Sequence, residues 1–443
     1  MRKRMVLAVA VMFVMAACTA GGSDEGPIEE QATGGTHQPV TLNVWGFYTE
    51  HELENFTEVV SDFEDKYPWI TVNMVPGKQF NDIVRGINSG TPIDVAIDVG
   101  PDNVAKYCST GAWVDLNSTL ESNGVDFDAT FPASVKTYTN FEGKQCALPM
   151  LTDAYGLYYN KDLLEAAGYT EPPKTLSELT EMAKKLTTYN ADGSIDVIGF
   201  NPLSDFYEGY NNYVGNAWGA DWYDDEGKSA FASDPAWAQA FQWDKDLVDY
   251  YGYDNLVNFK ASLGGDDSEW NEQNGFQVGR VAMLYDGEWR TVYDQEAMDK
   301  LNYGTAPFPV ADDHPELYGS GLIGGTVVGI PRTSENQSDA WLFVKTLTTD
   351  PEFLESLATK LGNVPTTNET LESTSLNDDP HFKTFIDIFS NPNSSFKEMS
   401  TLGTADATLE VDTLTKWEAG KITDLDAALQ DLASSIDQQL ELG

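Results

Sequence analysis

Basic residues are scarce in this chain: 26 Lys and Arg stand against 71 Asp and Glu in 443 residues, a formal net charge of −45. A field of that sign repels phosphate backbones, so nucleic acid is excluded as a partner, and so is charge-driven binding to anionic lipid. The excess reads as a solvated surface that resists aggregation. Histidine is rarer still, with four residues, His37, His51, His314 and His381. None is spaced with another His or a Cys as a ligand pair, so no metal site and no cofactor are expected. A Gly-x-Ser-x-Gly elbow, a phosphate-binding loop and an HExxH helix are all absent, which removes the usual signals of enzymatic chemistry. Beyond the first residues, no run approaches the ~20 apolar residues that a membrane-spanning helix needs.

The N-terminus carries a processing signal. Arg2, Lys3 and Arg4 precede an apolar stretch at 5–14, and Met15-Ala16-Ala17-Cys18 is a small-residue cleavage site ending in cysteine. It resembles a bacterial lipobox, which implies cleavage of residues 1–17, lipidation of Cys18 and a mature protein anchored at the outer face of the cytoplasmic membrane. Residues 18–38 hold Gly, Ser, Thr, Glu and Pro and almost nothing large and apolar, so they are expected to form a flexible tether, with the globular part starting near Pro39. With Cys18 so assigned, Cys108 and Cys146 are the only internal pair left, in a compartment where disulfides persist.

The roughly 400 residues that follow suggest two lobes at about 100–200 residues each. Val40-Thr-Leu-Asn-Val-Trp45 alternates as a strand, 52–67 has helical apolar spacing, 70–75 is a second strand, 80–88 a helix, 93–99 a buried strand and 103–109 a helix. That order is the signature of a parallel α/β sheet. Further strands are expected at 144–149, 156–160, 281–285 and 326–330. Helices are expected at 161–168, 175–189 (with Thr175 and Glu178 as a capping box), 235–250, 270–278, 335–348, 409–417 and 425–440.

Six short motifs, in order, resemble the family 1 extracellular solute-binding proteins, the group that includes maltose-binding protein. They are Gly90-Thr-Pro-Ile-Asp-Val95, Gly111-Ala-Trp-Val-Asp-Leu116, Gly143-Lys-Gln-Cys-Ala-Leu-Pro149, Leu157-Tyr-Tyr-Asn-Lys-Asp162, Pro173-Lys-Thr-Leu-Ser-Glu-Leu179, and Phe276-Gln-Val-Gly-Arg-Val-Ala-Met283 with Gly287-Glu-Trp289. Leu176 stands where the family has tryptophan, and Cys146 replaces a tyrosine or apolar residue. The resemblance implies an α/β fold of the two-lobed periplasmic-binding-protein type (type II). Its lobes are discontinuous, 39–152 with 309–365 and 153–308 with 366–443, and are joined by hinge crossings. Pro149 and Pro307 fit two of these crossings. The resemblance also places Cys108 near Cys146 and so favours a disulfide. It implies a carbohydrate ligand, delivery to the permease subunits of an ABC importer, and a monomer.

Sugars offer apolar C–H faces and rings of hydroxyls, so a site for them needs aromatic platforms and short polar side chains. The chain has 11 Trp, 20 Tyr and 21 Phe. The expected ligand-binding set is Trp289 as the main stacking platform, Trp218 and Trp270 as further ones, and Phe47, Tyr48 and Glu50 on the first strand-to-helix loop. Asp98 ends the third strand, Asp153 and Tyr155 flank the first crossing, Asp286 precedes Trp289, and Gly324 and Gly325 allow close approach of the backbone. Trp222 and Tyr223, beside Asp224-Asp225-Glu226-Gly227, read as a hairpin tip. The alternatives are a polyamine- or peptide-binding protein of the same fold, a secreted glycoside hydrolase built on a carboxylate pair, and a surface scaffold.

Overall fold

The protein is described from a computed structural model covering residues 26–30, 36–210, 213–293 and 295–442. The expected signal and Cys18 lie outside the described residues.

Strand β1 (Val40–Gly46) puts Leu42 and Val44 fully inside, as its alternation requires. The helix Glu50–Lys66 that follows buries Phe56, Val59, Val60 and Phe63, a stripe at helical spacing that lies on the sheet. β2 (Ile70–Val75) and β3 (Val95–Val99) then pair with β1 on either side, both parallel to it. β4 (Leu148–Leu151) closes this half of the chain. β5 (Tyr155–Asn160), β6 (Met283–Gly287) and β7 (Tyr303–Ala306) form a second sheet in the order β6-β5-β7, antiparallel throughout. β8 (Thr326–Gly329) returns to the first sheet, whose order is β2-β1-β3-β8-β4, and runs antiparallel to both of its neighbours. The first sheet is therefore mixed rather than purely parallel.

The chain crosses between the sheets at three places, which lie side by side. Thr152 and Val364 exchange backbone hydrogen bonds of 2.9 and 3.2 Å, and Ala154 bridges Ile323. Cys108 and Cys146 are joined in a disulfide with their Cα atoms 5.6 Å apart.

Three local expectations need correction. The stretch 144–149 is not one strand: Lys144–Gln145 pairs with Asn140–Phe141, and only β4 enters the large sheet. The helix from Thr175 has the expected capping box but stops at Leu186, where Thr188–Tyr189 begins a short hairpin with Ile195–Val197. Residues 271–278 do not form a helix. Asn271 Oδ1 accepts the Gln273 N–H at 2.8 Å and Asn274 Oδ1 the Phe276 N–H at 3.0 Å, local bonds that compete with a helical ladder.

The tether reading also needs correction in part. Ile28 is buried on the first lobe, and the His37 ring stacks on Trp69 at 3.8 Å, so parts of 18–38 are packed rather than free.

Candidate functional site

β6 ends at Gly287, and the chain turns so that the Trp289 ring folds back over that glycine. A Cβ at position 287 would lie 2.2 Å from the indole, so only glycine permits the turn. Tyr155, at the start of β5, stacks on Tyr285 with centroids 5.5 Å apart and meets Trp289 edge-on at 5.4 Å. Both Tyr155 and Trp289 are half-buried. The Trp289 Nε1–H is buried without an acceptor among the described residues.

The crossing beside this aromatic corner carries an unusual density of carboxylates. Asp153 Oδ1 and Glu288 Oε1 both accept from Asn363 Nδ2 at 2.9 Å, and Glu288 Oε2 accepts the Ala154 N–H at 2.8 Å. Burial, and next the neighbouring Glu52, push the Asp153 carboxyl up to about 7. Burial and Asp153 push Glu288 well above the ordinary carboxylate range. Glu52 itself was not singled out from the sequence, though it lies two residues beyond Glu50 in the first turn of the helix Glu50–Lys66.

The remaining predicted residues divide. Phe47 is half-buried against Tyr48 at 4.3 Å. Glu50 is exposed and opens its helix at φ 46, a left-handed conformation that is strained for a side chain of its kind. Trp270 keeps 42 % of its surface exposed, with the Arg290 guanidinium 4.9 Å from its ring centroid. Asp98 is 1 % exposed. Its Oδ2 accepts from Tyr107 Oη at 2.8 Å and from Asn103 Nδ2 at 3.3 Å, and its Oδ1 has no partner among the described residues. Burial raises Asp98 to about 7.

Four expectations need correction. Asp286 has no exposed surface and is bound 2.7 Å from Arg290 Nε, also fully buried, so it is an internal counter-ion. Tyr48 is turned into the core against Phe56, 5.1 Å away, and burial raises its hydroxyl pKa. Trp218 is 8 % exposed and packs on Trp243 at 6.0 Å beside the helix Leu176–Leu186. Gly325, at φ 117, is required by the neighbouring crossing: a Cβ there would meet Leu151 O at 2.5 Å. Gly324, by contrast, has only ordinary contacts with Phe396 and Pro101 at 3.8 Å.

A cavity of about 1040 Å³ opens between the two sheet-bearing units. One wall is Asp102, Lys136, Thr137 and Phe141; the other is Trp222, Phe396, Lys397 and the helix Ala405–Glu418 at Ala407 and Val411. None of the predicted ligand residues lines it directly. A smaller void bounded by Tyr155, Tyr285 and Phe308 shares Asn216, Ser320 and Leu322 with the large one, which connects the aromatic corner to it.

Trp222 and Lys397 were missed for different reasons. The hairpin reading of Tyr223 is right, since Tyr223 bridges Ser229, but Trp222 lies at its base, 6 % exposed, with the Lys397 ammonium 5.0 Å from its ring. A lysine between Phe396 and Met399 in a chain so poor in cations was the available signal for Lys397.

With this geometry in view, residues 58–384 match the family described as bacterial extracellular solute-binding protein, and the chain belongs to that family. It is 26 % identical over 391 residues to the maltooligosaccharide ABC transporter solute-binding lipoprotein of Streptococcus pneumoniae, covering 83 % of this chain and 81 % of that one. It is 22 % identical over 342 residues to the maltotriose-binding protein of Pyrococcus abyssi, covering 76 % and 69 %. Among solved structures, CpMnBP1 with mannotriose bound superposes with a TM-score of 0.78 at 25 % identity over 89 % of this chain and 99 % of that one. The sugar-binding protein MalE of Xanthomonas citri superposes at 0.74 with 20 % identity, covering 91 % and 98 %. The fold is the two-lobed periplasmic-binding-protein fold.

Proposed function

We propose that this chain is the extracytoplasmic carbohydrate-binding protein of an ABC importer, holding an oligosaccharide between its lobes and passing it to a permease without chemical change. The observation that carries this reading is the corner made by Tyr155, Tyr285 and Trp289 beside Asp153. Two half-buried aromatic faces and an indole N–H without an acceptor among the described residues stand next to carboxylates, the pairing of apolar platform and hydroxyl acceptor that a pyranose requires. The relatives named for maltotriose, maltooligosaccharide and mannotriose support the ligand class.

In this reading the lobes are 39–152 with 309–365 and 153–308 with 366–443, and they close by bending at the three adjacent crossings. Cys18 carries the lipid that keeps the protein at the outer face of the cytoplasmic membrane, and the protein works as a monomer.

The test is a thermal-shift and calorimetric screen of the signal-free protein against malto- and manno-oligosaccharides, with spermidine and short peptides alongside. A ligand that binds only the folded state raises the midpoint by mass action. Stabilisation by one oligosaccharide series, lost in Trp289→Ala and without release of shorter sugars, is the expected result. Stabilisation by spermidine or a peptide alone, or hydrolysis in proportion to protein, overturns the proposal.

A further inference from the structure

We infer that residues 26–30 are a docked strap that shortens the membrane leash and holds one face of the first lobe close to the bilayer. The inference rests on reading Cys18 as the lipidated residue.

Ile28 is the one large apolar side chain in the stretch 19–38, and it is 5 % exposed within the core of the lobe built on β1 to β4 and β8. The backbone around it is gripped from both sides. The Ile28 N–H donates to Thr119 Oγ1 at 3.0 Å, and the Ile28 carbonyl accepts from Asn123 Nδ2 at 2.8 Å. The Glu30 N–H donates to Asn123 Oδ1 at 3.0 Å, and the Glu30 carboxylate pairs with Lys345 at 2.5 Å. Asn123 therefore both donates to and accepts from the strap backbone, as a neighbouring strand would. Thr119 and Asn123 lie in and just after the helix Asn117–Ser122, and Lys345 lies in the helix Gln337–Thr349, so two elements of one lobe form the groove.

A tether of this composition has no reason to dock unless its single isoleucine supplies the apolar burial and a fitted acceptor and donor satisfy its backbone. The consequence is one of reach. A leash free from Cys18 to Pro39 extends to at most about 70–75 Å, whereas one ending at Gly26 extends to at most about 29 Å. Shortening it confines the first lobe near the surface and raises the effective concentration at which a membrane partner meets it.

Ile28→Asp and Asn123→Ala break the strap at two points outside the proposed sugar site. In full-length protein, the Ile28 and Glu30 amides are expected to exchange slowly, and either substitution to speed their exchange by about tenfold or more while sugar affinity in solution is unchanged. Lipidated protein on phosphatidylglycerol-phosphatidylcholine vesicles is then floated, and its height above a supported bilayer of the same lipids is read by neutron reflectometry. A thin layer for the parent chain and a thicker one for both variants is the expected result. Unprotected amides in the parent chain, or equal heights for parent and variants, overturn the strap. Protein that fails to float in either form overturns the lipid-anchor reading, and with it the membrane role, while the exchange data still decide whether the segment docks.

Discussion

Lys397 reaches across the molecule to Asp102: its Nζ lies 2.7 Å from Asp102 Oδ1 on the loop after β3 and 2.9 Å from Asp406 Oδ1 on the helix Ala405–Glu418. Burial by itself would lower the pKa of this ammonium, and the two carboxylates outweigh it, so the group stays charged. Tyr223 Oη and Ser400 Oγ also donate to Asp406, which ties that carboxylate to its own lobe and leaves Asp102 as the partner that opening would remove.

The ion pair should therefore favour closure. Lys397→Met is expected to weaken ligand binding tenfold or more, about 1.4 kcal/mol, mostly through faster dissociation, and to widen the scattering envelope of the ligand-bound protein. Lys397→Arg should restore part of the effect. Unchanged dissociation and an unchanged envelope in Lys397→Met would show that the pair does not report on closure.

The disulfide should matter for stability alone. Cys108 and Cys146 are 38 positions apart in sequence, and the chain-entropy model assigns such a loop about 4 kcal/mol. The double Cys→Ser variant is expected to lose about 2–4 kcal/mol in denaturant unfolding with its sugar affinity intact. A loss of affinity at full occupancy of the folded state would instead link the pair to the site.

Adjacent glycines should respond unequally. Gly325→Ala forces a Cβ to within 2.5 Å of Leu151 O at a positive φ and is expected to cost at least about 2 kcal/mol. Gly324→Ala meets only contacts at 3.8 Å and is expected to leave the melting midpoint within a degree or two, about the size of ordinary neutral substitutions.

The pH dependence should run opposite to that of a chain held by exposed salt bridges. Asp98 and Asp153 titrate near 7 in the folded protein because burial disfavours their charged forms, with Glu52 adding to Asp153. Burial and then Glu418 raise Asp244 well above the ordinary range, on a helix packed against the buried acids Glu410 and Glu418. Folded pKa values above the unfolded ones mean that the folded state binds more protons over that interval. The stability is then present below about pH 4 and falls as pH rises through about 7. Melting midpoints are expected to rise by several degrees from pH 8 to pH 5.5, and Asp98→Asn and Asp244→Asn should each flatten the slope. A midpoint that rises with pH over that range would contradict the assignment.

Local signals decided a good deal before any tertiary contact was considered. The apolar stripe of Phe56, Val59, Val60 and Phe63, the alternation of β1 and the capping box at Thr175 and Glu178 are short-range patterns, and short-range physics reads them correctly. Gly287 before Trp289 belongs with them, because a tight turn is written in adjacent residues. What sequence could not decide was which distant residues meet. β8 enters the first sheet antiparallel from some 175 positions beyond β4, Asp286 is consumed by Arg290 while Asp153 is gathered with Glu288 by Asn363, and Lys397 finds Asp102 across nearly 300 residues. A carboxylate is a ligand acceptor or an internal counter-ion according to whether a cation packs beside it. Desolvation and neighbouring charge set that outcome, and both exist only once the chain has closed on itself.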